Sequence, residues 1–394
     1  MDDAPRLPRT LKTALHKPAG VAKSATESAE AVPLDHDMVR ASLAALDEHL
    51  VKAAGGRSEL TDADRHLADL GKTAAAKLLT EGANAALSPP EQMALEAIAI
   101  ADGSRPALLI HNGAIDPRDE KAGEWADKLK IYDTVIRAVS PRVGRINNGG
   151  RHVGTGWMIR PGYIVTNRHV AQVLSKDPIA AKLELSPLRT ATVGFGHEAD
   201  ESDPGPQYAI KEIIFSGDQY IDPQNTNFAL LDMAVLRMDS ADKDKLPAAL
   251  PSVFVAEREI VTGANLYVLG YPGPTAGSSL PQKTLLRLLG TQSSVKRFSP
   301  GEIVLPLGGV SGDAPKRTIA HDATTLGGSS GSAVLGFDET RQPRLVGLHF
   351  GGYEVLYGPS GEVEYRGRNF AHCFATMAEV LAKLDKAIVD DRNR

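Results

Sequence analysis

Residues 154–171 read GTGWMIRPGYIVTNRHVA and say most about the fold. Two short apolar runs flank Pro161-Gly162, a pair that is typical of a tight turn between strands. His169 follows the second run, so the sequence predicts an imidazole at the end of a strand. A side chain in that position can be held firmly enough to act as a base.

Short β-type runs separated by turns continue toward the C-terminus. They lie at 143–146, 209–215, 233–238, 266–269, 302–305, 332–335 and 344–350. This succession of short strands and turns favours an all-β barrel or sandwich over a fold in which strands and helices alternate. A final amphipathic helix is predicted from Met377 to Val389.

The region before the strands has a helical pattern instead. Apolar residues at helical spacing predict three short amphipathic helices over 35–104, which would form a small bundle. The first is predicted to end at Gly55, the second to open at Thr61 and the third at Ser88, where a capping box begins. No pattern suited to catalysis is visible here. The bundle is therefore either a structural extension or a regulatory module that binds a partner.

The remaining segments complete an α+β multidomain prediction. Residues 1–34, rich in Ala, Ser, Lys and Pro, are predicted to be a flexible arm, with a membrane-surface or transit-peptide helix as the alternative. Residues 105–140 are predicted to be a connector with a strand, a turn at Asn112-Gly113 and a helix. Residues 141–394 would form the main β domain.

The composition excludes several classes of protein. Hydrophobic residues make up 42% and charged residues 24%, which is too apolar for a disordered chain. A net charge of −5 supplies no excess of cations for a nucleic acid backbone. Cys373 is the only cysteine, which excludes an intrachain disulfide and a Cys-rich zinc site. With no secretory signal and no long apolar run, the chain is predicted to be cytoplasmic and to have no membrane partner.

Residues 325–334, TLGGSSGSAV, contain a candidate nucleophile. A serine between glycines, just before an apolar strand, fits a turn at which two backbone amides point into one space and stabilise an oxyanion. Ser330 is the predicted nucleophile, and the amides of Gly328 and Ser330 are the predicted donors. The same letters also suit an ordinary Gly/Ser turn between strands.

A serine hydroxyl needs a base, and the base needs an acid to orient it. His169 is the candidate base because of its context. Asp232 is the candidate acid, because it lies at the head of the apolar run 230–236. A carboxylate there is costly to bury without a partner such as an imidazole N–H. The alternative for Asp232 is an exposed carboxylate at a strand end.

In this order the three motifs resemble those of chymotrypsin-fold serine proteases, in their bacterial, trypsin-like, disulfide-free and intracellular form. GTGWMIRPGYIVTNRHVA is similar to the histidine motif of that family, LDMAVLRM to its aspartate motif and TTLGGSSGSAV to its nucleophile motif. YVLGYP and LVGLHFGG resemble the strands on either side of the nucleophile. The resemblance covers about residues 140–385 and implies two six-stranded β-barrels with the active site in the cleft between them.

The sequence departs from the family just before the nucleophile. Family members that are activated by cleavage carry an Asp there, which pairs with the newly freed N-terminus. This chain has Ser329 instead. The resemblance therefore does not extend to activation through a terminal ion pair.

The resemblance also implies where the P1 side chain, the one before the scissile bond, would bind. Thr324 and Thr325 would lie on one wall of the pocket, and His349 and Gly351 on the other. A threonine at 324 supplies no acid for cleavage after Lys or Arg. Thr325 and His349 faintly resemble the acid-binding pair of glutamyl endopeptidases, so an acidic P1 residue is one hypothesis.

Other polar residues are interpreted as structural. Four histidines are scattered without the spacing of a metal site: His111, His152, His321 and His372. Lys296-Arg297 is interpreted as part of a surface turn and the acidic run 197–203 as a solvated loop. No metal and no cofactor are predicted.

These observations together predict a serine endopeptidase that acts on proteins or peptides through His169, Asp232 and Ser330. Residues 35–104, or a regulatory protein bound to them, would control it. The alternative is a catalytically silent scaffold, or a peptide-binding module, with a protease fold. No nucleic acid partner is expected.

Overall fold

The structure is a computed structural model that describes residues 36–81, 85, 87–115, 120–199, 204–222, 226–239, 246–273, 283–284, 287, 294–325, 327–338, 340–357 and 363–393. The arm predicted at 1–34 lies outside these residues. The helices are α1 (His36–Ala54), α2 (Asp62–Glu81), α3 (Pro89–Ala101), α4 (Ala126–Val139), α5 (Arg168–Leu174) and α6 (Ala378–Arg392). In the described part of the chain, none is both long and apolar enough to cross a membrane.

The strands follow from the connector onward. They are β1 (Leu108–Leu109), β2 (Val143–Asn148), β3 (Arg151–Arg160), β4 (Tyr163–Thr166), β5 (Ala191–Gly194), β6 (Gln207–Ser216), β7 (Ala234–Met238), β8 (Asn265–Gly270), β9 (Arg297–Leu305), β10 (Thr318–His321), β11 (Ala333–Phe337), β12 (Pro343–Tyr357) and β13 (Val363–Cys373).

Helices α1, α2 and α3 pack together ahead of the strands. Leu46, Leu67 and Ile98 are buried in their shared core. Helix α3 begins at the predicted capping box, where the Ser88 amide donates a hydrogen bond to the Glu91 carboxylate over 2.7 Å. This bond satisfies one of the amides that a helix start leaves unpaired.

A buried carboxylate in α2 attaches this bundle to the segment between β8 and β9. The fully buried side chain of Asp64 forms an ion pair with Arg287 and accepts a hydrogen bond from the Thr284 hydroxyl over 2.8 Å. The Arg287 guanidinium also donates to the Glu59 carbonyl over 2.9 Å. Removing one partner would leave a buried charge unpaired, so this contact resists being opened.

The first barrel is closed by antiparallel neighbours in the order β2-β3-β4-β7-β6-β5, with β5 returning to β2. Its interior holds apolar side chains that the alternating strands point inward, among them Met158, Ile164 and Leu236. Closure of six strands leaves no free sheet edge.

The second barrel closes in the order β8-β9-β10-β13-β12-β11, with β11 returning to β8. Strand β1 adds to β9 from outside, with Leu108 opposite Phe298. The predicted pair of six-stranded barrels behind an N-terminal helical region is therefore confirmed.

One apolar core joins the two barrels and two of the helices. Trp157 from the first barrel, Tyr267 from the second, Leu129 from α4 and Leu384 from α6 belong to the same buried cluster. The barrels are thus packed firmly against each other, and side chains from each can contribute to one site.

The expectations for Lys296, Arg297 and Glu198 are wrong, while residues 200–203 of the acidic run lie outside the described residues. Lys296 and Arg297 are buried rather than in a surface turn. The Lys296 ammonium lies 3.2 Å from Glu198, which is itself buried and not in a solvated loop, and Arg297 donates to the Ala107 carbonyl over 2.7 Å. Partners that are distant in sequence make this burial tolerable.

Candidate active site

Two neighbouring strands bring the candidate base and acid together. Strands β4 and β7 pair with Thr166 opposite Ala234. Asp232 precedes β7 by two residues, and His169 lies in the first turn of α5, not at the strand end itself as predicted. His169 Nδ1 is 2.6 Å from one Asp232 carboxylate oxygen, and the His169 amide donates to the other over 2.9 Å.

Burial and charge act in opposite directions on this pair. Burial alone would lower the pKa of His169 and raise the pKa of Asp232. Their mutual attraction and hydrogen bonds outweigh burial, so the pKa of His169 is raised and the pKa of Asp232 is lowered. Asp232 is therefore ionised at neutral pH and accepts the Nδ1–H, which leaves His169 Nε2 as the proton acceptor when the ring is neutral.

His372 of β13 supports Asp232 from the other barrel. Its Nε2 accepts a hydrogen bond from the Asp232 amide over 3.0 Å. Burial lowers the pKa of His372 to about 3. The ring is therefore neutral, with its proton on Nδ1, and it can act only as an acceptor toward Asp232.

The three serines of the nucleophile segment differ in exposure. Ser329 is 2% exposed and Ser332 is fully buried, with its hydroxyl donating to the Ser329 carbonyl over 2.6 Å. Ser330 is half-buried and so can be reached from solvent. Exposure therefore favours Ser330 as the reactive serine of the three.

Gly154 of β3 lies between the candidate base and the candidate nucleophile. A side-chain carbon at this position would be 2.7 Å from the side chain of Val170, the residue after His169, and 3.3 Å from the Ser330 carbonyl. Only glycine lets both segments come this close to β3.

Thr155, fully buried beside Gly154, fastens the nucleophile segment to the first barrel. Its amide donates to the Ser330 carbonyl over 2.8 Å, and its hydroxyl donates to the Gly328 carbonyl over 2.9 Å. The same hydroxyl accepts from the Tyr271 amide over 3.1 Å. Thr155 thus helps to fix both residues whose amides are the candidate oxyanion donors, Ser330 through its backbone and Gly328 through its side chain.

The orientation of the Gly328 N–H is set by the peptide bond between Gly327 and Gly328. The Gly327 carbonyl accepts a hydrogen bond from Gly273 over 2.6 Å. In a trans peptide the C=O and N–H point in opposite directions, so the Gly328 N–H points away from Gly273. Within the described residues, neither the Gly328 nor the Ser330 amide has an acceptor. Gly328 has φ +82° and the His152 ring lies where a side chain would be, so glycine is required here.

The walls of the candidate P1 pocket lie beside this segment. The Gly331 amide donates to the His349 carbonyl over 2.9 Å. His349 is buried with His321, and His321 Nε2 is 3.3 Å from His349 Nδ1. Burial, and then the charges of His321 and His169, hold the pKa of His349 well below its usual range. Thr324 is also buried, whereas Thr325 and Gly351 are half-buried.

Three of the four histidines interpreted as scattered in fact lie around this site. His152 borders Gly328, His321 contacts His349, and His372 contacts Asp232. Nothing in the sequence marks these contacts, since each depends on the register of strands far apart in the chain.

Comparison with known proteins supports the motif assignment. Residues 154–348 match the family described as trypsin-like peptidase domain. Over 282 residues the chain is 33% identical to a probable serine protease of Lysobacter enzymogenes, covering 68% of this chain and 71% of that protein. The chain belongs to the trypsin-like serine protease family. His169, Asp232 and Ser330 all fall inside the matched part of this trypsin-like protein.

Crystal structures of the Mycobacterium tuberculosis protease Rv3671c resemble part of this trypsin-like chain. The inactive form is 22% identical, covers 63% of this chain and 91% of its own, and has a TM-score of 0.35. The active form is 21% identical, covers 63% and 83%, and has a TM-score of 0.34.

Proposed function

We propose that this protein is a serine endopeptidase whose catalytic residues are Ser330, His169 and Asp232. The observation that carries the proposal is the 2.6 Å contact between His169 Nδ1 and Asp232, within the fold and sequence motifs of a serine protease family. That contact fixes the tautomer that a general base needs.

In the proposed mechanism, the Ser330 hydroxyl attacks the carbonyl carbon of the peptide while His169 Nε2 takes its proton. The C–N bond then breaks, and His169 gives the proton to the leaving amine. A water molecule then attacks the acyl group while His169 takes its proton, and His169 returns the proton to Ser330 as the acyl group is released. Asp232 stabilises the imidazolium, and the raised pKa of His169 supports this role.

The amides of Gly328 and Ser330 are proposed to bind the oxyanion. Three contacts support this assignment: the bond from Gly273 to the Gly327 carbonyl, and the two bonds from Thr155 to the segment. Donors fixed before the reaction need no reorganisation when charge develops, which is where such a site gains most of its rate.

We propose that Thr324, Thr325, His349 and Gly351 surround the P1 side chain and that an acidic P1 residue is preferred. The half-buried Thr325 hydroxyl can donate a hydrogen bond to a carboxylate, and the buried neutral ring of His349 would form the polar wall opposite it. The Thr324 hydroxyl already donates to the Arg105 carbonyl over 2.6 Å, so its contribution is to the shape of the wall.

Control by residues 35–104, alone or with a bound regulatory protein, belongs to the same proposal. The contacts of Asp64 with Arg287 and Thr284 support it, because they join the helices to the protease barrels. Cytoplasmic location stays a prediction. The second candidate is a silent scaffold or peptide-binding module with the same fold, in which Ser330 would not react with an active-site-directed phosphonate.

Digestion of a denatured proteome tests the proposal. Wild type and Ser330→Ala would be incubated in parallel, and the new N-termini sequenced. We expect cuts that only the wild type makes, clustered after Glu or Asp. Cuts after other residues would contradict the acidic pocket but keep the protease, and an absence of cuts that depend on Ser330 would contradict the enzyme.

A further inference from the structure

The residue that leads from α3 to β1 contacts the back of the proposed P1 pocket. Arg105 and Asp322 are each only 1% exposed, and the Arg105 guanidinium is 2.7 Å from the Asp322 carboxylate. Two charges buried this deeply are stable only when they are paired, and the Asp322 carboxylate also accepts a hydrogen bond from the Glu302 amide of β9 over 2.7 Å. The placement of Arg105 therefore constrains the placement of Asp322.

The backbone of Arg105 contacts the same side of the proposed pocket, residues 322–325, at a second point. Its carbonyl accepts the hydrogen bond from the Thr324 hydroxyl, and Thr324 lies two residues beyond Asp322. Between these two points, the Ala323 carbonyl accepts a hydrogen bond from Asn369 of β13 over 2.8 Å. The wall 322–325 is thus fixed to Arg105 on one side and to the second barrel on the other.

Arg105 is itself positioned by the helices. Its amide donates to the Ala99 carbonyl of α3 over 3.0 Å. Its guanidinium lies 5.6 Å from the ring centroid of Trp125, a cation–π contact, and the Trp125 indole donates to the Ser104 carbonyl over 3.0 Å. A displacement of α3 would therefore also displace Arg105.

We propose that Arg105 is a positioning residue for the P1 pocket, through which α3 sets the wall 322–325. The proposal rests on the proposed protease function and deepens it. Because Arg105 is 1% exposed, it acts on substrate only through the wall. The helical region then helps to shape the substrate site.

An isosteric pair of variants tests the backbone contact. Thr324→Val removes the hydroxyl that reaches Arg105. Thr318→Val is the matched control, since Thr318 is also fully buried and its hydroxyl has no partner among the described residues. We expect Thr324→Val to raise KM about tenfold on peptides with the preferred P1 residue, while kcat per titrated active site stays within about twofold. Thr318→Val should leave both at the wild-type values.

Arg105→Lys tests the side chain, because lysine keeps the charge but cannot reach both the Ser104 carbonyl, 2.7 Å from one guanidinium nitrogen, and Asp322, 2.7 Å from the other. We expect the same rise in KM and a weaker discrimination between P1 residues. In the double variant Arg105→Lys/Thr324→Val, KM should exceed that of the more affected single variant by less than about twofold. Thr324→Val behaving like Thr318→Val would overturn the proposal, as would additive effects in the double variant. If Arg105→Lys does not fold, the threonine pair decides alone. A wild type that cleaves no peptide would overturn the proposed function as well.

Discussion

The acid–base pair and the nucleophile segment are built in different ways. His169 follows β4 and Asp232 precedes β7, and because these strands are neighbours in one barrel, the register of that sheet brings the pair together. The segment around Ser330 depends on Thr155 from the first barrel, His349 from the second and, through Thr324, Arg105 from the helical side. The first half of the site is a local feature of a barrel, and the second requires assembly of the whole chain.

The largest effect is expected from the local half. Asp232→Asn removes the charge that raises the pKa of His169 and removes the acceptor that fixes its tautomer. We expect kcat to fall by about 10⁴-fold, the size expected when the orienting acid of such a triad is lost.

The pH profile of the same variant tests the electrostatic cause. In the wild type, activity should rise with pH as His169 loses its proton, with a midpoint above 6.5, the usual imidazole pKa. In Asp232→Asn burial dominates, so the midpoint should move to lower pH. A profile that keeps the wild-type midpoint would show that Asp232 does not set the pKa of His169.

A smaller loss is expected where the two halves meet. Thr155→Val leaves the buried Tyr271 amide without its acceptor and frees the Gly328 carbonyl. We expect a loss of about 1–3 kcal/mol in the free energy of unfolding. Because the Gly328 amide, a proposed oxyanion donor, moves with Gly328, kcat should also fall by about 10- to 100-fold.

Denaturant unfolding and single-turnover kinetics would measure the two effects separately. Thr318→Val serves again as the control, as a buried threonine without a hydroxyl partner among the described residues. If Thr155→Val lost stability but kept wild-type kcat, the segment would not depend on the first barrel.

The smallest effect is on stability and concerns the histidine that links the second barrel to Asp232. The pKa of His372 is about 3 when folded and about 6.5 when unfolded, so between these values the unfolded chain binds a proton that the folded chain does not. Stability is therefore full above about pH 6.5 and is lost as the pH falls. At pH 5 this one group should cost about 2 kcal/mol.

His372→Gln keeps a hydrogen-bond acceptor but does not titrate, so its stability should fall less than that of the wild type between pH 7 and 5. Thermal unfolding at both pH values would measure this, with His66→Gln on the exposed face of α2 as the control. Parallel losses in His372→Gln and wild type would contradict a buried neutral His372.

The sequence predicts the local half of the site well. Apolar runs, turn residues and a histidine or aspartate at their ends are short-range signals, and the barrels that they imply are confirmed by the strand pairing. Strands β5, β10 and β13 escape prediction because none contains an apolar run like the YIVT of β4. Strand β5 reads ATVG, β10 reads TIAH, and charged residues interrupt the VEYRGRNFAHC of β13.

The sequence does not predict the assembled half. Lys296 looks like a surface residue because its buried partner, Glu198, lies far back in the chain. His321 and His372 look isolated because strand register, and not spacing, places them beside His349 and Asp232. Arg105 lies in a connector with no motif, and only packing shows that it contacts Asp322. Each of these contacts depends on tertiary packing between residues far apart in the chain, which a pattern along the sequence does not show.

Labelling by an active-site-directed phosphonate would show whether His169 and Asp232 activate Ser330, as we propose. Wild type, His169→Ala and Ser329→Ala would be treated under the same conditions, and the modified residue located by peptide mass mapping. We expect a stoichiometric label on Ser330 in wild type and Ser329→Ala, and almost none in His169→Ala. A label on another serine, or one that forms equally fast without His169, would contradict it.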